Sequence, residues 1–117
     1  MDSSGLCVFT TFAWTLENIA PQVDAACEGD WSTERLLEVG ERIWNLEREF
    51  NLAAGLTGAD DTLPKRLLKE AAKTGPAEGK VAELHKMLPE YYELRGWAPD
   101  GTVTTQIRER LGLPSRA

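Results

Sequence analysis

The first turn of the chain brings together three residue types that can do chemistry. The segment D-S-S-G-L-C places Asp2, Gly5 and Cys7 within six residues. A thiolate beside a glycine turn is accessible to a metal cluster, whose sulfurs are stabilised by nearby backbone N–H groups. A carboxylate held among backbone groups accepts hydrogen bonds from ring N–H donors such as those of a pterin. From spacing alone, a buried structural thiol is the simpler interpretation.

No other segment supplies a complete active site. His85 is the only histidine and follows a helical pattern next to a lysine, which is typical of a solvated surface residue. The adjacent Asp60 and Asp61 suit the capping of a helix better than a metal site. Glu90 and Glu93 lie three residues apart on a predicted helix and fit a solvated face. We therefore expect no catalytic residue in this chain.

The size and charge of the chain limit its class. It has 117 residues, of which 42% are hydrophobic and 27% are charged, with a formal net charge of −6 at pH 7. These values are ordinary for one globular domain with a modest core. Lysine and arginine are scattered among the acids, whereas a nucleic-acid surface needs clustered positive charge. We expect one helical domain over residues 1–117, with no nucleic acid and no membrane as partner.

An uncharged stretch, Ser3–Leu16, opens the chain. It lacks the basic start and the cleavage site of a secretory signal, and it is too short and too rich in Ser and Thr to span a bilayer. Cys7 and Cys27 form no C-x-x-C pair, and a reducing compartment argues against a disulfide between them. We expect a cytoplasmic protein whose first stretch lies against another surface and does not fray in water.

The elements that must position this turn are helical throughout. The pattern predicts an all-α, irregular domain of about five helices around one long amphipathic helix. That helix has Ser32 as N-cap, an apolar residue every three or four positions, and an end at Gly55. Shorter helices are predicted over Leu16–Cys27, from Asp61 or Thr62 to Leu68, over Val81–Arg95 and over Thr105–Leu111. The only possible strand is Thr102–Thr104, and the four tryptophans are expected to anchor the core.

Four blocks, in this order, resemble the signatures of one family. They are D-S-S-G-L-C-V-F at the start, E-R-I-W-N-L-E-R-E-F-N over Glu41–Asn51, D-D-T-L-P-K-R over Asp60–Arg66, and E-Y-Y-E-L-R-G-W over Glu90–Trp97. The chain resembles the tungsten-containing aldehyde:ferredoxin oxidoreductases, at the C-terminal end of their polypeptide. The resemblance runs from the first residue to about Leu111, which is nearly the whole chain.

The resemblance implies an oxidoreductase with two cofactors. Members of this family bind a tungsten bis-pterin (molybdopterin-type) cofactor and a nearby [4Fe–4S] cluster, and they oxidise aldehydes to carboxylic acids with ferredoxin as electron acceptor. Three cluster cysteines lie upstream in the family. Cys7 matches the fourth, Asp2 matches the pterin-contacting acid, and Gly5 and Leu6 complete the turn against the cofactor. The chain would therefore be part of an enzyme and inactive by itself, with the remaining domains or a partner subunit, ferredoxin and an aldehyde as its partners.

The sequence is compatible with more than one role for the chain and with more than one substrate and metal. The chain can also be interpreted as a separately encoded, non-catalytic helical subunit or interaction module that docks on an oxidoreductase through Ser3–Leu16. Within the family, the substrate can be an aliphatic or aromatic aldehyde, a phosphorylated sugar aldehyde or an aromatic thioester, and the metal can be tungsten or molybdenum.

Overall fold

The structure, a computed structural model, describes residues 2–114, and for Asp2 it describes the backbone only. Five α-helices form in this range. They are α1 (Leu16–Ala26), α2 (Thr33–Ala53), α3 (Lys65–Lys69), α4 (Leu84–Arg95) and α5 (Thr105–Leu111). Short 3₁₀ helices occupy Asp2–Ser4, Val8–Phe12 and Gly58–Asp60. The described residues form isolated bridges but no strand, which confirms the all-α prediction.

The possible strand at Thr102–Thr104 is reduced to one bridge, between Val103 and Trp97. None of the helices formed by residues 2–114 combines the length and the apolar character needed to cross a bilayer.

One predicted helix start is confirmed by the structure and another is shifted. The Arg35 amide donates to the Ser32 hydroxyl oxygen at 3.3 Å, which confirms Ser32 as the N-cap of α2. By contrast, α4 starts at Leu84 and not at Val81. The Ala82 amide donates to the Leu67 carbonyl at 2.9 Å, so the residues before α4 pair with α3 and not with the helix that follows.

The described residues divide into two units, one up to Glu47 and one from Arg48 onward, with α2 contributing to both. In the first unit Ile19, Ala20 and Asn45 are buried. Two of the expected core anchors are exposed there: Trp14 retains 41% and Trp44 retains 46% of its surface. Their assignment to the core was wrong, because the residues of this unit are too few to enclose them.

The second unit has an aromatic core. Tyr92, Trp97 and Val103 are buried together. Trp97 meets the ring of Tyr91 edge-on at 5.7 Å between ring centres and that of Tyr92 at 5.8 Å. These contacts hold the end of α4 against the turn that leads to α5, because aromatic pairs combine large buried area with a preferred geometry.

Gly101 is the point of closest approach in this core. Its φ is +81°, and a Cβ there would meet the Arg48 guanidinium and, at 2.9 Å, the Tyr92 hydroxyl oxygen. Only glycine tolerates both the left-handed backbone and the contact.

We expect Gly101→Ala to lower the free energy of unfolding by about 2–4 kcal/mol, because backbone strain and overpacking add together. Gly112→Ala is the matched control, since Gly112 also has positive φ (+60°) but no atom within 4 Å of its Cβ position. Urea unfolding followed by circular dichroism measures both. Equal losses in the two variants would contradict the close-approach argument.

Candidate functional site

The turn around Gly5 is open on the side where a side chain would stand. Gly5 has φ +78°, and no atom lies within 4 Å of its Cβ position. The Leu6 amide contacts the Ser4 hydroxyl oxygen at 3.5 Å, and Leu6 is half-buried. The backbone of Asp2 belongs to the preceding 3₁₀ turn, while its side chain lies outside the described part of the structure. The turn thus leaves room for a flat group to approach the main chain closely.

Cys7 sits immediately before the 3₁₀ helix Val8–Phe12 and is exposed. Its carbonyl oxygen accepts from the Thr10 amide at 2.9 Å and from the Thr10 hydroxyl at 2.8 Å. These bonds fix the backbone while the thiol forms no disulfide. The interpretation of Cys7 as a buried structural thiol was therefore wrong.

The thiol of Cys7 offers one potential metal ligand at this turn. Within residues 2–114, no three His, Cys, Asp or Glu side chains come together as a metal site. Iron–sulfur clusters are held by several cysteine thiolates, usually four. The described residues therefore fit one ligand position of such a cluster and not a whole cluster site.

Three apolar side chains that closely follow Cys7 in the sequence face solvent. Val8 retains 51%, Phe9 71% and Phe12 85% of its surface. The two phenylalanine rings stack at 6.0 Å between centres. We call Val8, Phe9 and Phe12 the N-terminal apolar surface. Contiguous exposed apolar groups of this kind are typical of an interface with another part of an assembly.

Behind the turn, the first unit contains a groove of about 530 Å³. Its walls come from the turn, from α1 and from α2, and most of the lining side chains are apolar. The lining includes Ser3, Ser4, Leu6, Leu16, Val23, Cys27, Trp31, Val39 and Ile43. Leu6 thus belongs both to the turn and to the groove wall.

The densest polar constellation lies in the second unit. The Arg48 guanidinium donates to both carboxylate oxygens of Asp61, at 2.7 and 2.6 Å, and to the Gly101 carbonyl at 2.9 Å. The Tyr92 hydroxyl also donates to the Asp61 carboxylate. The guanidinium carbon lies 4.8 Å from the ring centre of Trp97. We call Arg48, Asp61, Tyr92 and Gly101 the arginine cluster.

The charges of the arginine cluster stabilise each other. The hydrogen bonds from Arg48 hold the pKa of Asp61 below its usual range, so the ion pair stabilises the fold above about pH 4 and weakens at lower pH. Burial, followed by the hydrogen bond to Asp61, raises the pKa of Tyr92 to about 12. Arg48 and Tyr92 donate these hydrogen bonds to groups of the same unit. The arginine cluster therefore acts as a structural clamp that stabilises this unit.

The prediction that Asp61 caps a helix was wrong, because its carboxylate accepts two hydrogen bonds from Arg48. Thr62, the alternative cap, does not cap the helix either, because α3 starts at Lys65 with Pro64 as its N-cap. Asp60 takes part in capping the short helix Gly58–Asp60, whose N-cap is Thr57, since its carboxylate accepts from the Thr57 amide at 2.7 Å. His85 is exposed, as predicted, and so are Glu90 and Glu93.

Sequence reasoning missed the arginine cluster, although a signal for it was present. Arg48 lies in the block Glu41–Asn51, Asp61 in Asp60–Arg66, and Tyr92 in Glu90–Trp97. Three of the four blocks that carry the resemblance therefore meet in the arginine cluster, two through the ion pair and the third through the hydrogen bond of Tyr92. The sequence contained only the positions of these three polar side chains in the blocks, and the tertiary structure pairs them.

Comparison with known proteins identifies the class. The family model described as "Aldehyde ferredoxin oxidoreductase, domains 2 & 3" matches residues 1–113. The chain belongs to the aldehyde ferredoxin oxidoreductase family, where it corresponds to a C-terminal domain of the enzyme.

Among its relatives are proteins named tungsten-containing aldehyde ferredoxin oxidoreductase from Thermococcus kodakarensis, Pyrococcus furiosus and Pyrococcus abyssi. Each is 50% identical to this chain over 114 residues, which is 97% of the chain. The chain spans only 19% of the length of each of these relatives.

We expect Asp61→Asn to lower the free energy of unfolding by about 3 kcal/mol, because Arg48, with 9% of its side chain exposed, would lose its countercharge. Chemical unfolding at pH 7 measures the loss. Asp60→Asn is the matched control, since an exposed asparagine still accepts the Thr57 amide bond. Equal stability of the two variants would contradict the clamp.

The raised pKa of the Tyr92 hydroxyl predicts that the free energy of unfolding decreases at alkaline pH. Its pKa rises on folding from 10.0 to about 12, so between these values the unfolded chain has lost the proton while the folded chain retains it. Stability therefore falls as pH rises through this window. Thermal unfolding between the two values should show a smaller decline in Tyr92→Phe than in the parent chain. Tyr91→Phe keeps the Tyr92 hydroxyl and should retain the full decline; a parental decline in Tyr92→Phe would rule out this origin.

Proposed function

We propose that this chain is the cofactor-facing C-terminal part of a tungsten bis-pterin, iron–sulfur enzyme that oxidises aldehydes to carboxylic acids and reduces ferredoxin. The observation that carries the proposal is the exposed Cys7 thiol beside the open turn at Gly5. The family membership and the tungsten in the names of its relatives support the choice of cofactor. A sulfur-ligated cluster suits a reducing cytoplasm, which is the compartment we propose.

Cys7 would supply one thiolate to the [4Fe–4S] cluster. Its thiol is exposed, and its carbonyl is already bonded to Thr10, so the side chain can reach a cluster without disturbing the helix that follows. The remaining thiolates would come from other parts of the enzyme. The chain alone would therefore hold no stable cluster and show no activity.

Gly5, Leu6 and Asp2 would form part of the pterin site. At Gly5 the missing side chain lets a planar ring approach the backbone, and Leu6 provides an apolar contact beside it. Asp2 would accept hydrogen bonds from the N–H groups of the ring. The chain thus contributes binding and orientation, and no catalytic acid or base.

The bound cofactors would convert an aldehyde and one water into a carboxylic acid, two protons and two electrons, which leave through the cluster to ferredoxin. The part of this chain is to bind and to exclude water. Val8, Phe9 and Phe12 would pack against the other domains of the enzyme and keep bulk water from the cluster, since the apolar shell around a metal site controls solvent access.

Cys7→Ala in the complete enzyme tests the proposal. Because Cys7 would be a cluster ligand, we expect the variant to lose the electron paramagnetic resonance signal of the reduced cluster and most of the iron assigned to it. Iron per polypeptide and the spectrum, both taken on protein purified without oxygen, provide the measurement.

Cys27→Ala is the matched control and should retain the parental iron content, because Cys27 lies at the end of α1 with no assigned role. Full iron content in Cys7→Ala would reject the ligand assignment and leave Cys7 as a packing residue of a non-catalytic helical module. Stoichiometric iron on the isolated 117-residue chain would also contradict the proposal.

A further inference from the structure

The two units of the chain carry very different charge. Residues 1–47 contain nine of the 19 acidic residues but only two of the 13 basic ones, whereas residues 48–117 contain ten and eleven. The net charge is therefore −7 for the first segment and +1 for the second. Because the cations are scattered along the whole sequence, the overall composition does not reveal that part of the second segment has an excess of positive charge.

That excess is concentrated on α3 and the loop that follows it. Five cations and two carboxylates occur between positions 65 and 80. The cations are Lys65, Arg66, Lys69, Lys73 and Lys80, and all five are exposed. We call them the basic surface. Two carboxylates, Glu70 and Glu78, offset only part of this charge.

Backbone hydrogen bonds bring these cations onto one part of the molecule. The Ala72 amide donates to the Lys80 carbonyl, and the Gly79 amide donates back to Ala72, each at 2.9 Å. The Ala82 amide ties the end of the loop to the Leu67 carbonyl of α3, also at 2.9 Å. Lys73 and Lys80 are therefore held beside each other and next to α3, on which Lys65 and Lys69 are one turn apart.

The basic surface differs in kind from the N-terminal apolar surface. Lysine ammonium groups are strongly hydrated and are depleted from the buried centres of interfaces. If other domains of the enzyme packed over the four lysines, the ammonium groups would lose their hydration without gaining contacts that compensate for it. These side chains are therefore suited to remain in solvent in the complete enzyme, where they act at longer range.

We propose that the basic surface is the electrostatic docking site for an acidic iron–sulfur electron carrier. Such a carrier fits because its cysteine thiolates give the cluster a net negative charge. Electron-transfer complexes are small and transient, and charge complementarity raises their association rate more than their lifetime. This inference rests on the proposed function, in which ferredoxin is the electron acceptor.

The test uses the complete enzyme, purified without oxygen from its host, with ferredoxin of the same host as acceptor and acetaldehyde as donor. In Lys69→Glu/Lys73→Glu we expect kcat/KM for ferredoxin to fall at least about fivefold at low salt, with kcat unchanged, because steering acts on association. The difference from the parent enzyme should shrink as salt rises from about 0.02 M to about 0.3 M, because the Debye length shortens.

The matched control is Arg42→Glu/Lys86→Glu, which changes net charge by the same amount at positions outside the basic surface. It should retain most of the parental kcat/KM for ferredoxin. Benzyl viologen, a small cationic acceptor, should be reduced at the parental rate by both double variants.

The following outcomes would contradict the proposed docking site. An equal fall in both double variants would assign the effect to net charge, and a fall in dye reduction in Lys69→Glu/Lys73→Glu would assign it to a disturbed active site. Loss of RNA binding with unchanged ferredoxin kinetics would assign the surface to nucleic acid. Failure of the proposed function is distinguishable, because the parent enzyme would then show no aldehyde-dependent reduction of the dye.

Discussion

The ion pair between Arg48 and Asp61 is the interaction on which the second unit depends. It joins α2 to the loop before α3, and through the Gly101 carbonyl and the Tyr92 hydroxyl it also joins the turn before α5 and the end of α4. A charge that is buried needs its partner, since the cost of desolvation is otherwise uncompensated. This requirement explains why a glycine stands at 101 and why Asp61 is unavailable as a helix cap.

The first unit differs from the second because several of its large aromatic side chains are exposed. Phe12 retains 85% of its surface, and Trp14 and Trp44 also face solvent. Exposed aromatic side chains at this density are typical of a surface that is covered in an assembly. The chain spans 19% of the length of its relatives, and in the proposed function the other domains of the enzyme cover this surface.

The division between binding and chemistry follows from these two arrangements. The open turn at Gly5 and the thiol of Cys7 present binding groups, and no three His, Cys, Asp or Glu side chains among the described residues come together to hold a metal ion. The arginine cluster is rigid and satisfied, and it stabilises the scaffold. In the proposed function the chain therefore acts as one wall of a cofactor site, with the reaction carried by cofactors that other domains help to hold.

The sequence by itself determined the helices, the long amphipathic α2 with its cap at Ser32, and the family, because these depend on local periodicity, local capping and ordered motifs. It also identified the turn at Gly5 and Cys7, since those residues are neighbours in the chain. Only the tertiary structure decided the partner of Asp61, the exposure of Trp14 and Trp44, and the grouping of lysines around α3. Each of these depends on which distant residues meet, and a pairing such as Arg48 with Asp61 competes with local capping only once the chain has folded.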